Sequence, residues 1–419
     1  MQSFRIVVGV DWADEKHAVF LLDQENGNRE ACEVQQTPEA ITDWVASLRR
    51  RFSNCQIAVC LEQTRGALIY ALMKFEFLTL VPINPKQLAR FREAISASEA
   101  KDDPDDAELL AELFAKHGER LRAWKPDTEE TRLLTLLSED RRHLVDERTA
   151  LTNRLKTHLK QYFPQVLELC ASLHSQLACA LLERWSSLSE LQAATDEEIH
   201  QLFHDCRCYS QKQRERRLRI IREGIPLTTD RAIVKSRQLL VRAIVLQIKD
   251  LNDSLQQYDS QIQSVFHAHS DYDIFHSFPG AGAAMGPRLL CAFGTDRERF
   301  CSAMDVQSLS GIAPVTRKSG KSKVVRRRWA CNKFLRQTFH EYAAHSIKYS
   351  SWARAYYVMM KERTGGHNAA LRALAFKWIR ILYRCWKDHK LYDESQYLDC
   401  LRRRNSPILK HLVANVPED

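Results

Sequence analysis

Four acidic side chains stand at positions where a protein can gather carboxylates around a divalent cation. Asp11 ends an apolar run near the N-terminus, and Glu62 ends a second apolar run. Asp103 and Asp106 lie three residues apart where a helical pattern begins, so they can share one helix face. A carboxylate at the end of a buried strand is costly unless it is solvated, paired or bound to a cation. The four acids therefore predict a site for Mg²⁺ or Mn²⁺, because such ions prefer oxygen ligands.

The register of the second acidic pair stays open, because Asp102 and Asp105 also lie in this segment. A simpler interpretation is that Asp103 caps the helix and that the other acids complement the helix dipole. The leucines that follow define a buried stripe, and Asp106 falls on its centre. Since Asp11 and Glu62 already stand at strand ends, the functional interpretation is favoured.

A second candidate for chemistry is the hydroxyl of Ser319, which precedes Gly320 in a segment crowded with cations. Residues 317–336 hold nine Lys and Arg and no acid. A hydroxyl in such a loop suits attack on a phosphodiester, whose developing charge the cations would stabilise. A solvated turn is the plainer alternative, and Ser322 is the fallback nucleophile. The nine predicted nucleic-acid contacts are Arg317, Lys318, Lys321, Lys323, Arg326, Arg327, Arg328, Lys333 and Arg336.

A Pro-Gly-Ala-Gly turn upstream of the basic segment predicts a helix-hairpin-helix-like element. Gly280 and Gly282 would let backbone N–H groups at a helix N-terminus approach a phosphate, although such a turn can also be a tight corner between helices. Trp352, Trp378 and Trp386 are expected in the core rather than as base-stacking platforms.

The pattern of elements predicts how these groups are positioned. Residues 1–125 read as a strand hairpin, a third strand, then alternating helices and strands, an order that matches a ribonuclease-H-like α/β domain. Residues 126–268 predict two long helices of an antiparallel coiled coil, with a helical insertion at about 165–229. Arg141 and Arg148 fall on the predicted seam between the helices. Three interpretations fit them: contacts that set the register, contacts to nucleic acid, or solvated side chains. Residues 269–419 predict a mainly helical third domain that carries the serine.

Composition bounds the class of protein. The 419 residues are 44% hydrophobic and 27% charged, with a formal charge of +9. The concentration of cations in the second half favours a polyanionic partner. The twelve cysteines include no CxxC pair, and no apolar run reaches the length of a membrane span. These features predict reduced thiols and a cytoplasmic protein without a membrane partner.

Together the motifs resemble the DEDD transposases of the insertion-sequence 110 family, which includes the Piv-type DNA invertases. The resemblance rests on Asp11, on Glu62 within Cys-Leu-Glu-Gln-Thr, and on Lys-x-Asp-x-x-Asp-Ala at 101–107. In the second half it rests on Phe-Pro-Gly-Ala-Gly at 278–282, Ser-Gly-Ile-Ala-Pro at 310–314 and Lys-Ser-Gly at 318–320. The match covers nearly the whole chain in the right order.

The resemblance implies a RuvC-like metal site formed by Asp11, Glu62, Asp103 and Asp106, and a covalent bond between Ser319 and DNA. It also implies donor and target DNA as substrates, a structured noncoding bridge RNA as guide, and a homo-oligomer from dimer to tetramer. In such assemblies the metal site and the serine come from different subunits. The segment 165–229 is longer than in compact members of the family.

Three other functions fit parts of the pattern. A RuvC-like junction-resolving nuclease would use the acids and metal-activated water, without a serine intermediate. An actin-like or sugar-kinase-like ATPase shares the opening strands, but Trp12 follows Asp11 where that class needs small residues for phosphate. A non-catalytic nucleic-acid-binding scaffold would require all four acids to be incidental.

Overall fold

The computed structural model describes residues 4–62, 66–95, 103–320 and 322–413, and the side chains of 103–105, 323 and 413 lie outside that description. Two compact units are present, Met1–Pro126 and Asp127–Asp419. The three-domain division predicted from the sequence, with boundaries at 125/126 and 268/269, stays a prediction.

The first unit contains a five-stranded mixed sheet in the order β3-β2-β1-β4-β5. Strands β1 to β3 are antiparallel, whereas β1, β4 and β5 are parallel. The predicted sequence of hairpin, third strand and alternating helices is confirmed. The elements are β1 Ile6–Asp11, β2 Lys16–Asp23, β3 Arg29–Gln35, α1 Pro38–Arg51, β4 Ile57–Leu61, α2 Ala67–Leu72, β5 Leu78–Pro82, α3 Pro85–Ile95 and α4 Asp103–His117, followed by a 3₁₀ turn at Gly118–Arg120.

The central strands β1 and β4 are covered on both faces, and they are apolar at successive positions. Even-numbered residues of β1, such as Val8, pack with α1 and α2. The alternate residues, such as Val7, pack with α3 and α4 on the opposite face. This period-2 division decides on which face the side chains at the strand ends emerge.

Helix α4 lies directly on β1 at Gly9. A Cβ atom at this position would stand 1.9 Å from the carbonyl oxygen of Ala107 and 2.9 Å from the backbone nitrogen of Ala111. Only glycine permits so close an approach of helix backbone to strand backbone. The contact fixes the first turns of α4 near the carboxyl end of β1.

We expect Gly9→Ala to lower the free energy of unfolding of the first unit by about 3 kcal/mol or more, because α4 or β1 must move to admit the methyl group. Denaturant unfolding, with hydrogen exchange on peptides from β1 and α4, measures the effect. Gly118→Ala is the matched control, since the nearest atoms to its Cβ would be those of the Phe114 ring, at 3.4 Å. Equal unfolding midpoints for the two variants would contradict the close approach.

In the second unit, α5 Glu129–Leu159 and α11 Arg231–Ala268 pack side by side. Arg141 bonds Asp259 at 2.5 Å, and Arg148 donates to the Oδ1 atom of Asn252 at 2.9 Å. The two contacts are seven residues apart on each helix. Residue numbers rise along α5 where they fall along α11, so the helices are antiparallel. Arg141 and Arg148 thus make interhelical contacts; their role in setting register and the supercoil stay predictions.

The segment between the long helices folds against their ends. It forms five short helices, and their apolar side chains share a core with residues of α5 and α11, among them Leu155, Leu159 and Ile244. The predicted helical character of 165–229 is confirmed. The five are α6 Val166–Leu169, α7 Gln176–Arg184, α8 Leu188–Ala193, α9 Asp196–Asp205 and α10 Gln211–Glu223.

The remainder of the second unit is helical except for one β-hairpin. Trp352, Trp378 and Trp386 are fully buried, which confirms their predicted core role. No helix in the described ranges is long and apolar enough to cross a membrane. The elements are α12 Tyr272–His276, α13 Gly282–Phe293, α14 Ala303–Leu309, β6 Val315–Ser319, β7 Ser322–Arg326, α15 Lys333–Tyr349, α16 Ser351–Thr364, α17 His367–Lys387, α18 Glu394–Arg403 and α19 Ile408–Val413.

Candidate active site and nucleic-acid interface

The carboxyl edge of the sheet brings two of the predicted acids together. Asp11 is the last residue of β1, and Glu62 directly follows β4. The two strands are parallel neighbours in which Val10 pairs with Leu61, so the next position on each strand is an acid. By alternation, Asp11 follows Val7 and Gly9 onto the face that α4 covers, and Glu62 follows Ala58 and Cys60 onto the same face.

Helix α4 contributes Asp106 on that face of the sheet. Asp106 is 4% exposed, as its position on the helical stripe predicted. It precedes Ala107, which lies against Gly9, and its carboxylate forms an ion pair with Arg92 of α3. A buried carboxylate requires such a positive partner. The side chains of Asp103 and Asp105 and the whole of Asp102 lie outside the described residues, so the register of the pair stays open.

The donor chemistry of this edge fits a divalent cation. Asp11, Glu62 and Asp106 all offer carboxylate oxygens, the ligands that Mg²⁺ and Mn²⁺ prefer. In the described part of the chain, however, no three His, Cys, Asp or Glu side chains converge closely enough to hold a metal ion. Arg92 occupies the carboxylate of Asp106 instead. A cation that used Asp106 as a ligand would have to compete with the Arg92 guanidinium for that carboxylate.

Ser319 stands at the tip of the β6–β7 hairpin. It is the last residue of β6 and pairs across the turn with Ser322, the first residue of β7. Gly320 has a φ of +53°, the left-handed conformation that a two-residue hairpin turn requires. Both serines are exposed, and directly opposed residues of a hairpin project from the same face. The two candidate nucleophiles are therefore neighbours, and geometry alone does not choose between them.

The cations of the basic segment lie on this hairpin and in the residues that follow it. Arg317 shares the face of Ser319, two residues along β6, and Lys318, Arg326 and Arg327 are exposed. Arg328 donates weakly to the carbonyl oxygen of Ala313 at 3.4 Å. Lys333 is exposed at the start of α15, and Arg336 is half-buried one turn further on. Lys321 and the side chain of Lys323 lie outside the described residues.

The Pro-Gly-Ala-Gly turn connects α12 to α13. Gly280 has a φ of +76°, and a Cβ there would meet the Tyr349 ring at 2.9 Å, so this turn packs closely against the end of α15. Gly282 has a φ of +41° with nothing within 4 Å of an added Cβ. The glycines are thus explained by backbone conformation and packing, and phosphate binding at the α13 N-terminus stays a prediction.

Sequence reasoning missed two features of the site. Arg92 of α3 was given no role, although it forms the ion pair with Asp106 of the next helix. Sequence reasoning also described a loop around Ser319 where the structure has a hairpin. Lys323-Val-Val-Arg326, preceded by a Ser-Gly turn, was the available signal, because β-branched residues beside a glycine turn indicate paired strands.

Comparison with known proteins identifies the class. The DEDD transposase model of IS110 matches residues 8–164, and a model described as the transposase IS116/IS110/IS902 family matches residues 272–358. A mini-circle protein of IS117 from Streptomyces coelicolor, named as a candidate transposase, is 26% identical over 94% of this chain and 97% of its own length. The 44.8 kDa protein of insertion element IS116 from Streptomyces clavuligerus is 23% identical over 93% of this chain and 96% of its own length. The 43.6 kDa protein of IS110 from Streptomyces coelicolor is 25% identical over 70% of this chain and 73% of its own length.

The first matched segment contains Asp11, Glu62 and Asp106, and the second contains Ser319. The chain is therefore an insertion-sequence transposase. It belongs to the IS110/IS116/IS902 family. Membership of a transposase family favours a DNA-cleaving enzyme over the ATPase and scaffold alternatives.

Proposed function

We propose that this transposase cuts and rejoins DNA through a covalent bond to Ser319, assisted by a RuvC-like metal site in a ribonuclease-H-like first unit. The proposed ligands of Mg²⁺ or Mn²⁺ are Asp11, Glu62, Asp103 and Asp106. The observation that carries the proposal is the pair of acids at adjacent parallel strand ends, on the face where α4 buries a third. An exposed serine at the tip of an acid-free basic hairpin supplies the nucleophile.

The proposed role of the four acids is to hold a divalent cation at the carboxyl edge of the sheet. A divalent cation, when bound, would polarise the scissile phosphate and neutralise part of its charge. Asp11 and Glu62 project from strands buried on both faces, so their backbones are rigid and the oxygens need little reorganisation. Arg92 keeps Asp106 compensated while no cation is present, which prevents an isolated buried charge.

The serine step is an exchange of one ester for another. The Ser319 oxygen forms a bond to phosphorus, the bond from phosphorus to a deoxyribose oxygen breaks, and the serine proton goes through water to the departing hydroxyl. Arg317, on the same hairpin face, stabilises the extra negative charge of the pentavalent phosphate. Attack by a hydroxyl of a different DNA strand reverses the reaction and releases the serine. No nucleotide hydrolysis is needed, because the phosphoester bond is conserved.

The partners follow from charge and from the family resemblance. Nine cations in twenty residues favour a polyanion, which we propose to be donor and target DNA together with a structured bridge RNA. We further propose a homo-oligomer, from dimer to tetramer, in which the acids and the serine come from different copies. Mixing Ser319→Ala protein with Asp11→Asn protein tests this point: activity returns in the mixture only if copies contribute different sites.

The decisive test is a denaturing gel of labelled donor and target DNA incubated with purified protein, its flanking noncoding RNA and Mg²⁺. A protein–DNA adduct that requires Mg²⁺ and resists denaturation supports the covalent mechanism. Omission of the RNA, or its replacement by a scrambled RNA, tests guidance. Protein-free DNA ends at a branched substrate would instead support the alternative, a RuvC-like junction-resolving nuclease that uses water and the same acids.

A further inference from the structure

A cluster of cations lies at the base of the serine hairpin. Arg327 directly follows β7, Arg336 and His340 lie one turn apart on the same face of α15, and Arg372 lies on α17, which packs against α15. Burial lowers the pKa of His340 to about 4, with further contributions from Arg372, Arg327 and Arg336. The pKa of Arg372 is lowered by burial and by Arg327 and Arg336. The charges of Arg327 and Arg336 therefore lie close enough to act on both His340 and Arg372.

No carboxylate within the described ranges forms an ion pair with these three guanidiniums. The guanidinium of Arg336 donates to the sulfur of Cys331, at 3.4 Å. Arg327 stacks on Trp329, with its guanidinium carbon 5.1 Å from the ring centre. Two part-buried arginines elsewhere in this unit do pair with carboxylates: Arg297 with Asp271 and Arg288 with Glu341. Glu341 is the acid nearest to His340 in sequence, and its carboxylate is already engaged.

Uncompensated cations repel one another and lower stability unless an anion neutralises them. A phosphate group suits this cluster, because guanidinium presents a planar fork of donors to its oxygens. A neutral imidazole beside them can accept a proton when the anion arrives, and so adds a fourth positive charge only in the bound state.

We propose that Arg327, Arg336, Arg372 and His340 form a phosphate-binding site that holds one backbone phosphodiester of the DNA strand, a role that rests on the proposed function of the hairpin. Arg327 follows Arg326, the last residue of β7. Arg326 pairs with Val315, which lies four residues from Ser319 along β6. At 3.3 Å per residue the site lies about 13 Å along the hairpin from the serine. It therefore holds a phosphate other than the one attacked, and its side chains are positioning residues.

The test compares Arg372→Gln with Arg384→Gln, a matched loss of one charge from the same helix. Arg384 is paired with Asp388, so it is not expected to bind phosphate. Binding of a fluorescent DNA duplex is followed by anisotropy at several salt concentrations. We expect Arg372→Gln to weaken binding and to reduce the slope of log K against log[salt] by about 0.9, one phosphate contact, while Arg384→Gln leaves the slope unchanged. Equal slopes for wild type and Arg372→Gln would overturn the proposal.

Thermal unfolding separates this role from a structural one. Without DNA, Arg372→Gln should unfold at the temperature of the wild type or higher, because one repelling charge is gone. Inorganic phosphate alone should raise the melting temperature of the wild type more than that of the variant. A variant that melts well below the wild type, or phosphate stabilisation without any change in the DNA salt slope, contradicts a DNA-binding site.

A spectroscopic signal reports on His340 directly. Imidazole resonances, assigned with His340→Gln, should show a rise of the His340 pKa when DNA binds, and no such rise in Arg372→Gln protein with DNA. An unchanged His340 pKa in saturated wild type counts against the site. Adduct formation through Ser319 is measured separately at saturating DNA. If Arg372→Gln forms the adduct and its salt slope is that of the wild type, only the phosphate-site proposal is wrong. If the wild type forms no adduct, only the serine mechanism is wrong.

Discussion

Replacement of Ser319 by alanine is expected to abolish the protein–DNA adduct and to reduce strand exchange by about 10⁴-fold or more, because the proposed nucleophile is removed and the methyl group of alanine cannot form an ester. The exposed position of Ser319 at a hairpin tip makes this substitution structurally mild. DNA binding measured by anisotropy should therefore stay close to that of the wild type. The measurement is the adduct on a denaturing gel, with the recombinant product quantified in the same reaction.

Ser322→Ala is the matched control, because Ser322 pairs directly with Ser319 on the same face of the hairpin. We expect Ser322→Ala to retain the adduct with at most a modest loss of rate. An adduct that survives Ser319→Ala and disappears in Ser322→Ala would reassign the nucleophile to the opposite strand. Cleavage that survives the double substitution, with protein-free ends, would leave a metal-dependent nuclease without a serine intermediate.

The strand-end acids and the buried acid of α4 could be predicted because each is specified by local periodicity. A run of apolar residues that ends at Asp11 or Glu62 indicates a buried strand and its terminus. The 3.6-residue period of the leucines after Asp106 places its side chain on the buried face of α4. Packing then confirmed the face: Gly9 admits the backbone of α4, and Asp106 is buried beside it.

The groups that compensate these charges could not be predicted in the same way. Arg92 meets Asp106 only because α3 and α4 pack together, and no local pattern encodes that contact. Arg372 is distant in sequence from Arg327 and Arg336, and it joins them only through the packing of α17 on α15. The basic segment showed that cations would be abundant, but not which of them lack a carboxylate partner.

Conservative neutralisation of the strand-end acids is expected to remove DNA cleavage without removing the fold. Asp11→Asn and Glu62→Gln keep the size of each side chain and eliminate one ligand charge. We expect each to reduce adduct formation by about 10³-fold or more in Mg²⁺, because charge at the phosphate is no longer stabilised. Glu25→Gln, an exposed acid of the same unit, serves as the control. Full activity of Asp11→Asn would exclude that residue from the proposed metal site.

Arg92 provides a test of metal binding that does not depend on DNA cleavage. Arg92→Gln leaves the buried Asp106 carboxylate without its partner, so we expect the metal-free protein to lose about 3 kcal/mol of stability. Asp106→Asn combined with Arg92→Gln removes the uncompensated charge, and most of that loss should be regained. Thermal unfolding of the two variants in a chelator measures the difference.

If Asp106 is a metal ligand, the guanidinium of Arg92 and a divalent cation compete for it. Mn²⁺ should then raise the melting temperature of Arg92→Gln more than that of the wild type, because the ion no longer displaces an existing partner. The double variant should respond less than either, since a ligand charge is lost. Equal shifts in all three proteins would show that the ion binds elsewhere and that the Arg92–Asp106 pair only joins α3 to α4. A larger rise in the melting temperature of Arg92→Gln would show that a metal ion must displace the Arg92 guanidinium from Asp106 to complete the acidic site.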